Sequence, residues 1–265
     1  MKQDTYVNEH YEARQIMEGL WQISDKPDKI TPFVDIYLIE GSKKALLIDA
    51  GDSKADLRGF VNQITDKPIE LIITHGHGDH AASIHQFDKV YMSHKEIDIL
   101  EKFFEIKVEQ SKVIDLKGGE VFDLGGCMIE VIAFPGHTPG SVVLLDEERQ
   151  LLFTSDGLGS GTLWMQLPHS TSLEEYYEEV CKLEQRVKHL DKLRIFAGHN
   201  CMSNEKYGLE YITDIKILTE KIIKGEIIGE PTDDINDFFG GLKASYGKMK
   251  ELVYKPYNIY KANKN

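Results

Sequence analysis

The sequence predicts a mixed α/β fold in which a sheet-rich core is covered by amphipathic helices. Strand-like runs outnumber helical patterns in the first third of the chain. Hairpin signals occur beside strand–helix alternation, so we expect both antiparallel and parallel pairing. Each helical pattern has one apolar face, and 265 residues are enough to bury such faces in one large domain, alone or with an appendage.

The first strands form a predicted hairpin. The runs VDIYLIE and KALLIDAG flank the turn sequence EGSKK, in which Gly41 supplies a permissive backbone. A helical pattern follows Ser53, with apolar residues at Leu57, Phe60, Val61 and Ile64. The run ELIIT then indicates a buried strand, so helices and strands alternate from here.

A capping box is predicted before the next helix. Ser93 and Glu96 have the required spacing, and Ile97, Leu100 and Phe104 follow at helical intervals. Three strand-like runs come next, MIEVIAF, SVVLLD and LLFTS. The chain therefore returns to a sheet before its second half of helices.

A second capping box, formed by Ser172 and Glu175, opens a longer predicted helix. Its apolar stripe consists of Tyr176, Val180, Leu183, Val187 and Leu190. Another helix is predicted over residues 204–224, and Gly225 is placed to end it.

Residues 226–265 are interpreted as a C-terminal extension of helical or irregular structure. The stretch GEPTDDINDFFGG is turn-rich and acidic, and the last segment interleaves lysine with tyrosine. The predicted organisation is one domain over residues 1–225 and an extension over residues 226–265. Metal binding should not need the extension, because every candidate ligand precedes it.

The charge balance bears on partners. The net charge is −13, and all of the excess lies in residues 1–200, because residues 201–265 hold ten lysines and ten acidic residues. An acidic body repels phosphate backbones, so we expect a small-molecule substrate and no nucleic-acid partner. The sequence leaves a homodimer open.

Cysteine usage and hydropathy bear on the compartment. Cys127, Cys181 and Cys201 lie far apart with no CxxC pair, which predicts neither a zinc knuckle nor a disulfide framework. The chain starts with polar and charged residues, and no apolar run approaches the roughly 20 residues of a membrane span. We therefore expect a soluble cytoplasmic protein with no membrane association.

Four strand-like runs each end on a side chain that can bind metal. LIIT precedes His75, VIAFPG precedes His137, LLFTS precedes Asp156 and RIFAG precedes His199. Loops that leave a rigid sheet can carry functional side chains toward one edge. The sequence therefore predicts that these residues meet at one end of the sheet.

The densest group of candidate ligands is the segment HGHGDH, which contains His75, His77, Asp79 and His80. Its two glycines are expected to let the backbone turn tightly between ligands. Imidazole and carboxylate together suit zinc, iron(II) or manganese. So many ligands indicate two metal ions.

This ordered set of motifs resembles the metallo-β-lactamase superfamily. The match runs from about Ile36 to Asn200 and comprises the HxHxDH signature HGHGDH, LIDAG with Asp49, PGHTPGS around His137, TSDG at Asp156 and AGH at His199. The resemblance implies a four-layer αββα sandwich with the site at one edge. It also implies a first metal on His75, His77 and His137, a second on Asp79, His80 and His199, and Asp156 bridging both.

The resemblance implies a hydrolase. Its expected cofactors are two divalent metal ions, with zinc favoured and iron or manganese as alternatives. A hydroxide shared by two metals can attack an ester-type bond. Asp79 is the expected catalytic residue, because it would both bind metal and orient the attacking water. A thioester or lactone is preferred over a phosphoester because the body is acidic.

Two departures narrow the subfamily. Asp156 stands where the best-known zinc β-lactamases have cysteine, which argues against lactam hydrolysis. His77 stands where diiron flavoproteins have glutamate, and the chain lacks room for a flavodoxin-like domain.

The rival function is a persulfide dioxygenase of the same superfamily, with one iron on the equivalents of His75, His137 and Asp156. A non-catalytic metal protein is disfavoured, because structural sites close all coordination positions.

Several reactive side chains are left outside the predicted site. Cys201 is interpreted as an inert thiol, and Asp49 as a residue that bonds a ligand-bearing loop without touching metal. The remaining histidines are interpreted as ordinary surface or core residues: His10, His85, His94, His169 and His189. Of these, His169 lies in a loop after Asp156 that could overhang the site.

Overall fold

The computed structural model describes residues 5–26, 34–200, 206–232 and 239–261. The first half contains β1 (Thr5–Val7), β2 (Tyr11–Met17), β3 (Leu20–Asp25), β4 (Val34–Glu40), β5 (Ala45–Ile48), α1 (Leu57–Ile64), β6 (Ile69–Ile72), α2 (Gly78–Ala81), β7 (Val90–Met92), α3 (Ile97–Phe103) and β8 (Val113–Asp115). The second half contains β9 (Val121–Asp123), β10 (Met128–Ala133), β11 (Val142–Asp146), β12 (Leu151–Ser155), β13 (Thr162–Trp164), α4 (Leu173–Val187), β14 (Arg194–Ala197), α5 (Leu209–Ile223), β15 (Glu230–Pro231), β16 (Leu242–Tyr246) and β17 (Met249–Tyr254).

The first sheet has eight strands in the order β1 to β8. Its first five strands pair antiparallel, and β5 to β8 pair parallel. The predicted hairpin is confirmed, since β4 and β5 pair with Tyr37 opposite Ile48 and Glu40 opposite Ala45. Parallel pairing after β5 brings the ends of β5 and β6 to the same edge.

The second sheet has the order β14-β12-β11-β10-β9. Antiparallel pairs join β9 to β12, whereas β12 and β14 run parallel. A register shift lies between Phe153 and Ser155 at the end of β12. Because β12 and β14 are parallel neighbours, Asp156 and His199 leave the sheet side by side.

Three apolar clusters define four layers, which confirms the predicted αββα sandwich. The central cluster joins the two sheets, for example through Leu46 and Ile72 on one and Leu144 and Phe153 on the other. A second cluster packs α1 and α3 on the outer face of the first sheet. A third packs α4 and α5 on the outer face of the second sheet. Because the facing sides of the sheets and helices are apolar, their burial stabilises the four layers.

The helix predictions are mostly confirmed. Residues Leu57, Phe60, Val61 and Ile64 form the buried face of α1. Both bonds of the predicted capping box of α4, between Ser172 and Glu175, are present. Within the described ranges, no helix is long and apolar enough to cross a membrane.

The interpretation of the C-terminal segment as helical or irregular is wrong for its described part. Strands β15, β16 and β17 join β13 in a third sheet of order β13-β17-β16-β15. The parallel partner of β17 is β13, with Leu163 opposite Leu252. Met249, Leu252 and Tyr254 are buried in the same cluster as α4 and α5. The boundary between residues 225 and 226 stays a prediction.

Candidate metal centre

The four strand ends converge as predicted, and all seven candidate ligands lie together. One group of ligand atoms, each within 4.8 Å of the others, comprises His75, His77, His137 and Asp156. An adjoining group comprises Asp79, His80 and His199. A third combination, Asp49 with His75 and His80, overlaps both.

Asp156 lies between the two groups. Its Oδ2 is 3.7 Å from Nε2 of His137 and 3.4 Å from Nε2 of His199. Its Oδ1 is 3.6 Å from Nε2 of His80. The same carboxylate therefore faces ligand atoms of both groups, which is the geometry that a bridging ligand needs.

Carboxylates favour a positive charge in the adjoining group of Asp79, His80 and His199, called the second group below; the group with His75, His77 and His137 is the first group. Burial opposes a proton on His80, but the carboxylates of Asp79 and Asp156 outweigh it and raise the pKa of His80. Burial likewise opposes a proton on His199, and Asp156 again prevails, raising the pKa of His199 to about 9. Both histidines would thus carry protons when no metal is bound, and a metal ion would supply the positive charge instead.

The first group is electrostatically different. Burial lowers the pKa of His75 and of His77 well below the usual value, and neighbouring histidines lower both further. Burial also lowers the pKa of His137, despite the nearby carboxylate of Asp156. These three imidazoles are therefore neutral at pH 7, which is the form that binds metal.

Asp49 orients His80. Its Oδ2 faces Nδ1 of His80 at 3.0 Å and accepts hydrogen bonds from Thr74 Oγ1 and Ser155 Oγ at 3.0 and 2.8 Å. Its Oδ1 accepts from the backbone N–H of Thr74 at 2.8 Å. With Nδ1 held by a carboxylate, His80 presents Nε2 to the group. The interpretation of Asp49 as an orienting residue agrees with these contacts.

Backbone strain accompanies this network. Asp49 has φ of 67° and Ser155 has φ of 45°, both in the left-handed region that non-glycine residues rarely adopt. Ser155 directly precedes Asp156 and donates to Asp49. Such conformations cost about 1–3 kcal/mol each and persist where surrounding contacts enforce them.

In His137 and His75, as in His80, the ring nitrogen Nδ1 is held by a hydrogen bond outside the first and second groups. Nδ1 of His137 donates to the backbone carbonyl of Trp164 at 2.7 Å, which fixes its proton on Nδ1. Nδ1 of His75 lies 3.1 Å from Oγ1 of Thr74. Because Thr74 Oγ1 donates to Asp49, it accepts from His75. Both rings therefore direct an unprotonated Nε2 into the first group.

The residues present fit metal ions. In the described part of the chain, Nε2 of His75, Nε2 of His80 and Oδ1 of Asp156 are buried with no hydrogen-bond partner. Buried polar atoms are otherwise nearly always paired. Nδ1 of His77 and Nε2 of His137 face each other at 3.0 Å within the same ligand group. The orphaned atoms match ligands of a metal.

The predicted capping box at Ser93 and Glu96 is wrong. Ser93 does cap a short 3-10 turn by accepting from Lys95, but Glu96 is fully buried and turns inward. Its carboxylate accepts from the backbone N–H groups of Gly76 and Gly140, each at 2.5 Å. Glu96 therefore ties the loop of His75 and His77 to the loop of His137.

The two glycines of HGHGDH are needed for space, because neither Gly76 nor Gly78 has a positive φ. A Cβ on Gly76 would lie 2.7 Å from the backbone oxygen of Glu96. A Cβ on Gly78 would lie 2.8 Å from the ring of Phe104. The expectation of a conformational role is therefore corrected to close packing.

An aromatic wall, defined here as Phe103 and Phe104, borders the centre at the end of α3. The ring of Phe104 lies 5.4 Å from that of His77, and the ring of Phe103 lies 5.3 Å from that of His169. Their exposed fractions are 54% for Phe103 and 41% for Phe104. The sequence predicted Phe104 on the core face of a helix, whereas it lies at the site.

His169, which the sequence set aside as an ordinary histidine, belongs to none of the ligand groups of the described residues but contacts one candidate ligand. Its Nε2 lies 2.6 Å from Nε2 of His77. The other four histidines that the sequence set aside are exposed and belong to none of the ligand groups of the described residues: His10, His85, His94 and His189. Sequence reasoning also missed Thr74, Ser155 and the carbonyl of Trp164, which carry no motif.

The cysteines stand apart from the centre. Burial, followed by the charge of Asp146, raises the pKa of Cys127 to about 12, so its thiol stays protonated. Neither Cys127 nor Cys181 belongs to a ligand group of the described residues. Cys201, interpreted above as an inert thiol, lies outside the described residues.

The fold and the ligand groups define a protein of the αββα class with a candidate metal centre. The chain belongs to the metallo-beta-lactamase superfamily, whose family profile matches residues 31–199.

The chain is also similar to individual known proteins and solved structures. The acyl-coenzyme A thioesterase MBLAC2 of Homo sapiens is 25% identical over 229 residues, which cover 72% of this chain and 81% of that protein. The metallo-beta-lactamase fold-containing protein ST1585 of Sulfurisphaera tokodaii is 26% identical over 239 residues, covering 80% of this chain and 89% of that protein. A metallo-beta-lactamase from Pontibacter korlensis shares the fold with a TM-score of 0.63 and 19% identity, covering 79% of this chain and 99% of that chain.

Proposed function

We propose that the chain hydrolyses thioester bonds of small acyl substrates with two divalent metal ions. The observation that carries the proposal is the pair of adjoining ligand groups that share Asp156. Zinc is the favoured metal, because the donors are imidazole nitrogen and carboxylate oxygen, and iron or manganese are alternatives.

Two ligand sets favour two metals over one. A single iron on His75, His137 and Asp156, as in a dioxygenase, would not use Asp79, His80 and His199 as ligands. Yet these three residues form a ligand group of their own. Among the described residues, Nε2 of His80 is also buried without a hydrogen-bond partner. The second group therefore supports a dinuclear centre.

A thioester is the favoured bond. The human relative of the chain is named an acyl-coenzyme A thioesterase, and a relative from Claviceps purpurea is named an atrochrysone carboxyl ACP thioesterase. The exposed aromatic wall of Phe103 and Phe104 beside His77 suits an apolar acyl group. A lactone offers the same carbonyl chemistry and is the comparison substrate.

When bound, two divalent metals polarise the substrate carbonyl and lower the pKa of water toward neutrality. The chain contributes orientation. Asp49 holds His80, and Trp164 holds His137, so the ligand nitrogens are set before substrate arrives. Asp79, whose side chain is 26% exposed, lies at the open side of the centre, where it can accept a hydrogen bond from the attacking water.

Hydrolysis needs no covalent intermediate on the protein. Water attacks the carbonyl carbon, the carbon–sulfur bond breaks, and the products are a carboxylic acid and a thiol. Ser155 Oγ is engaged with Asp49, and the thiol of Cys127 is buried and protonated at neutral pH. Neither is poised to act as a nucleophile.

The test is a substrate panel on zinc-loaded protein. Acyl-coenzyme A thioesters of increasing chain length should release thiol, a lactone should react more slowly, and a phosphodiester should be the poorest substrate. Removing metal with a chelator should abolish turnover, and Asp79→Asn should reduce it by about 100-fold or more. Thiol release that survives metal removal, or a preference for the phosphodiester, would refute the proposal.

Oxygen dependence separates hydrolysis from the rival dioxygenase chemistry. Hydrolysis takes its oxygen from water, so turnover should be unchanged under nitrogen. Water labelled with oxygen-18 should place one labelled atom in the carboxylic acid. Strict dependence on dissolved oxygen, with one iron per chain and sulfite formed from a persulfide, would replace the hydrolase assignment.

A further inference from the structure

His169 lies beside His77, outside the seven candidate ligands. It belongs to the segment between β13 and α4, residues 165–172. Its Nε2 is 2.6 Å from Nε2 of His77, and the two ring centroids are 4.9 Å apart. On its other side, the ring of Phe103 lies 5.3 Å away. His169 is thus held between a candidate ligand and the aromatic wall.

The contact between His77 and His169 is a hydrogen bond and not a pair of metal ligands. Two nitrogens on one tetrahedral zinc would be about 3.3 Å apart. The distance of 2.6 Å between the Nε2 atoms is much shorter than that and corresponds to a short hydrogen bond. The nitrogen of His77 that faces Nε2 of His137, at 3.0 Å, is Nδ1.

The protons follow from this geometry. If Nδ1 of His77 binds metal, the proton of its neutral ring must sit on Nε2. That Nε2–H then donates to Nε2 of His169, and His169 carries its own proton on Nδ1. In the described part of the chain, Nδ1 of His169 is buried without a hydrogen-bond partner. The hydrogen bond that Nε2 of His169 accepts from His77 is therefore the one that the His169 ring makes within the described residues.

We propose that His169 is a positioning residue that fixes the tautomer and ring orientation of His77 so that Nδ1 faces the metal. The inference rests on the proposed metal centre. It completes a pattern: Nδ1 of His75 is held by Thr74 and Nδ1 of His80 by Asp49. His77 uses the opposite nitrogen, and His169 is the partner that this reversed orientation needs.

Two substitutions test the role. His169→Phe keeps a ring against Phe103 but removes the acceptor, so the affinity for one zinc equivalent should fall about 10- to 100-fold. His169→Gln retains a carbonyl acceptor and should restore much of that affinity. Affinity is measured by competition with a chromophoric zinc chelator on the purified full chain. The matched control is His85→Phe, at an exposed histidine outside the ligand groups, which should leave affinity unchanged.

The outcomes separate this inference from the proposed function. If the wild-type chain binds no zinc, the metal centre itself is refuted. If the wild-type chain binds zinc and His169→Phe binds it equally well, or if His169→Gln is as weak as His169→Phe, the positioning role is refuted. Melting temperatures of the metal-free variants serve as the second readout. A role in packing alone would lower the melting temperature without changing zinc affinity.

A spectroscopic measurement on the unmodified protein does not depend on variant folding. Long-range proton–nitrogen spectra of the zinc-loaded chain should show His77 protonated on Nε2, while His75, His80 and His137 are protonated on Nδ1. His169→Phe should broaden or shift the His77 signal alone. A His77 ring protonated on Nδ1 in the wild-type protein would overturn the inference.

Discussion

His80 presents one ring nitrogen to the centre because its other nitrogen is held by Asp49, a buried carboxylate that also accepts from Thr74 and Ser155. The candidate ligands themselves were predictable, because they stand at fixed spacings in HGHGDH or directly after apolar runs. The residues that orient them were not. Thr74, Ser155 and His169 act through contacts between segments that are distant in the sequence.

Replacing Asp49 by asparagine tests this orientation. The left-handed backbone tolerates asparagine, but an amide nitrogen must now face groups that donate to Asp49 in the wild type. We expect zinc affinity of the second ligand group to fall about 10- to 100-fold, measured by chelator competition. Asp66→Asn, at an exposed position, is the control. Unchanged affinity in Asp49→Asn would show that His80 does not depend on this carboxylate.

The two glycines of HGHGDH should respond differently to alanine. Gly76→Ala places a methyl group 2.7 Å from the backbone oxygen of Glu96, which cannot move without the helix that follows it, so unfolding free energy should fall by about 1–3 kcal/mol. The three atoms nearest to a methyl group on Gly78 all belong to the side chain of the exposed Phe104, which can move, so Gly78→Ala should cost less. Chemical denaturation measures both. Equal losses, or no relief of Gly78→Ala by Phe104→Ala, would contradict this packing.

At the scale of elements, local patterns predicted the β4–β5 hairpin, α1 and the capping box of α4, because each depends on neighbouring residues alone. Glu96 has the same spacing from Ser93 as a capping residue, yet it bonds two loops instead. Only the folded chain brings Gly76 and Gly140 to that carboxylate. Spacing could not distinguish the two roles.

The end of α4 is tied to the β11–β12 turn by an ion pair with a defined pH response. Arg186 donates to Glu147 at 2.6 Å and, with His189, lowers the pKa of Glu147 to about 2 from the usual value of 4.5. A lowered carboxyl pKa stabilises the fold above pH 4.5, and this stabilisation is lost as the pH falls from 4.5 to 2.

Glu147→Gln should therefore lower the free energy of unfolding by about 0.2–1 kcal/mol at pH 7, because the pair is exposed. The difference from wild type should shrink to zero as the pH falls from 4.5 to 2. Denaturant titrations across this range measure it, with Glu148→Gln as the control at an adjacent exposed glutamate. A deficit that is independent of pH would rule out the ion pair as its origin.

At the scale of the whole molecule, the sequence predicted four layers and one site at their edge, and it misjudged the C-terminal segment. The reason is that β17 pairs with β13, which lies far away in the chain, so no local pattern signals the partnership. The same pairing supports Trp164, the last residue of β13, whose carbonyl holds His137. The segment therefore contributes to the core and lies one strand from the centre.

That metal binding can do without the extension stays a prediction, but the stability of the fold should depend on this segment. Leu252→Ala, at a fully buried position of β17, should lower the free energy of unfolding by about 2–5 kcal/mol. Tyr257→Ala, at a side chain that is 78% exposed, is the matched control and should cost little. Thermal and denaturant unfolding measure both. If Leu252→Ala were as stable as Tyr257→Ala, the extension would not be part of the core.

The most direct test of the dinuclear centre is the metal-to-protein ratio of the purified chain after metal removal and titration with zinc. We predict two equivalents for the wild type, about one for His77→Ala and for His199→Ala, and two for the control His85→Ala. Each ligand variant disrupts one of the two groups that share Asp156. One equivalent or none in the wild type, or two in both ligand variants, would contradict the assignment of these side chains to two metals.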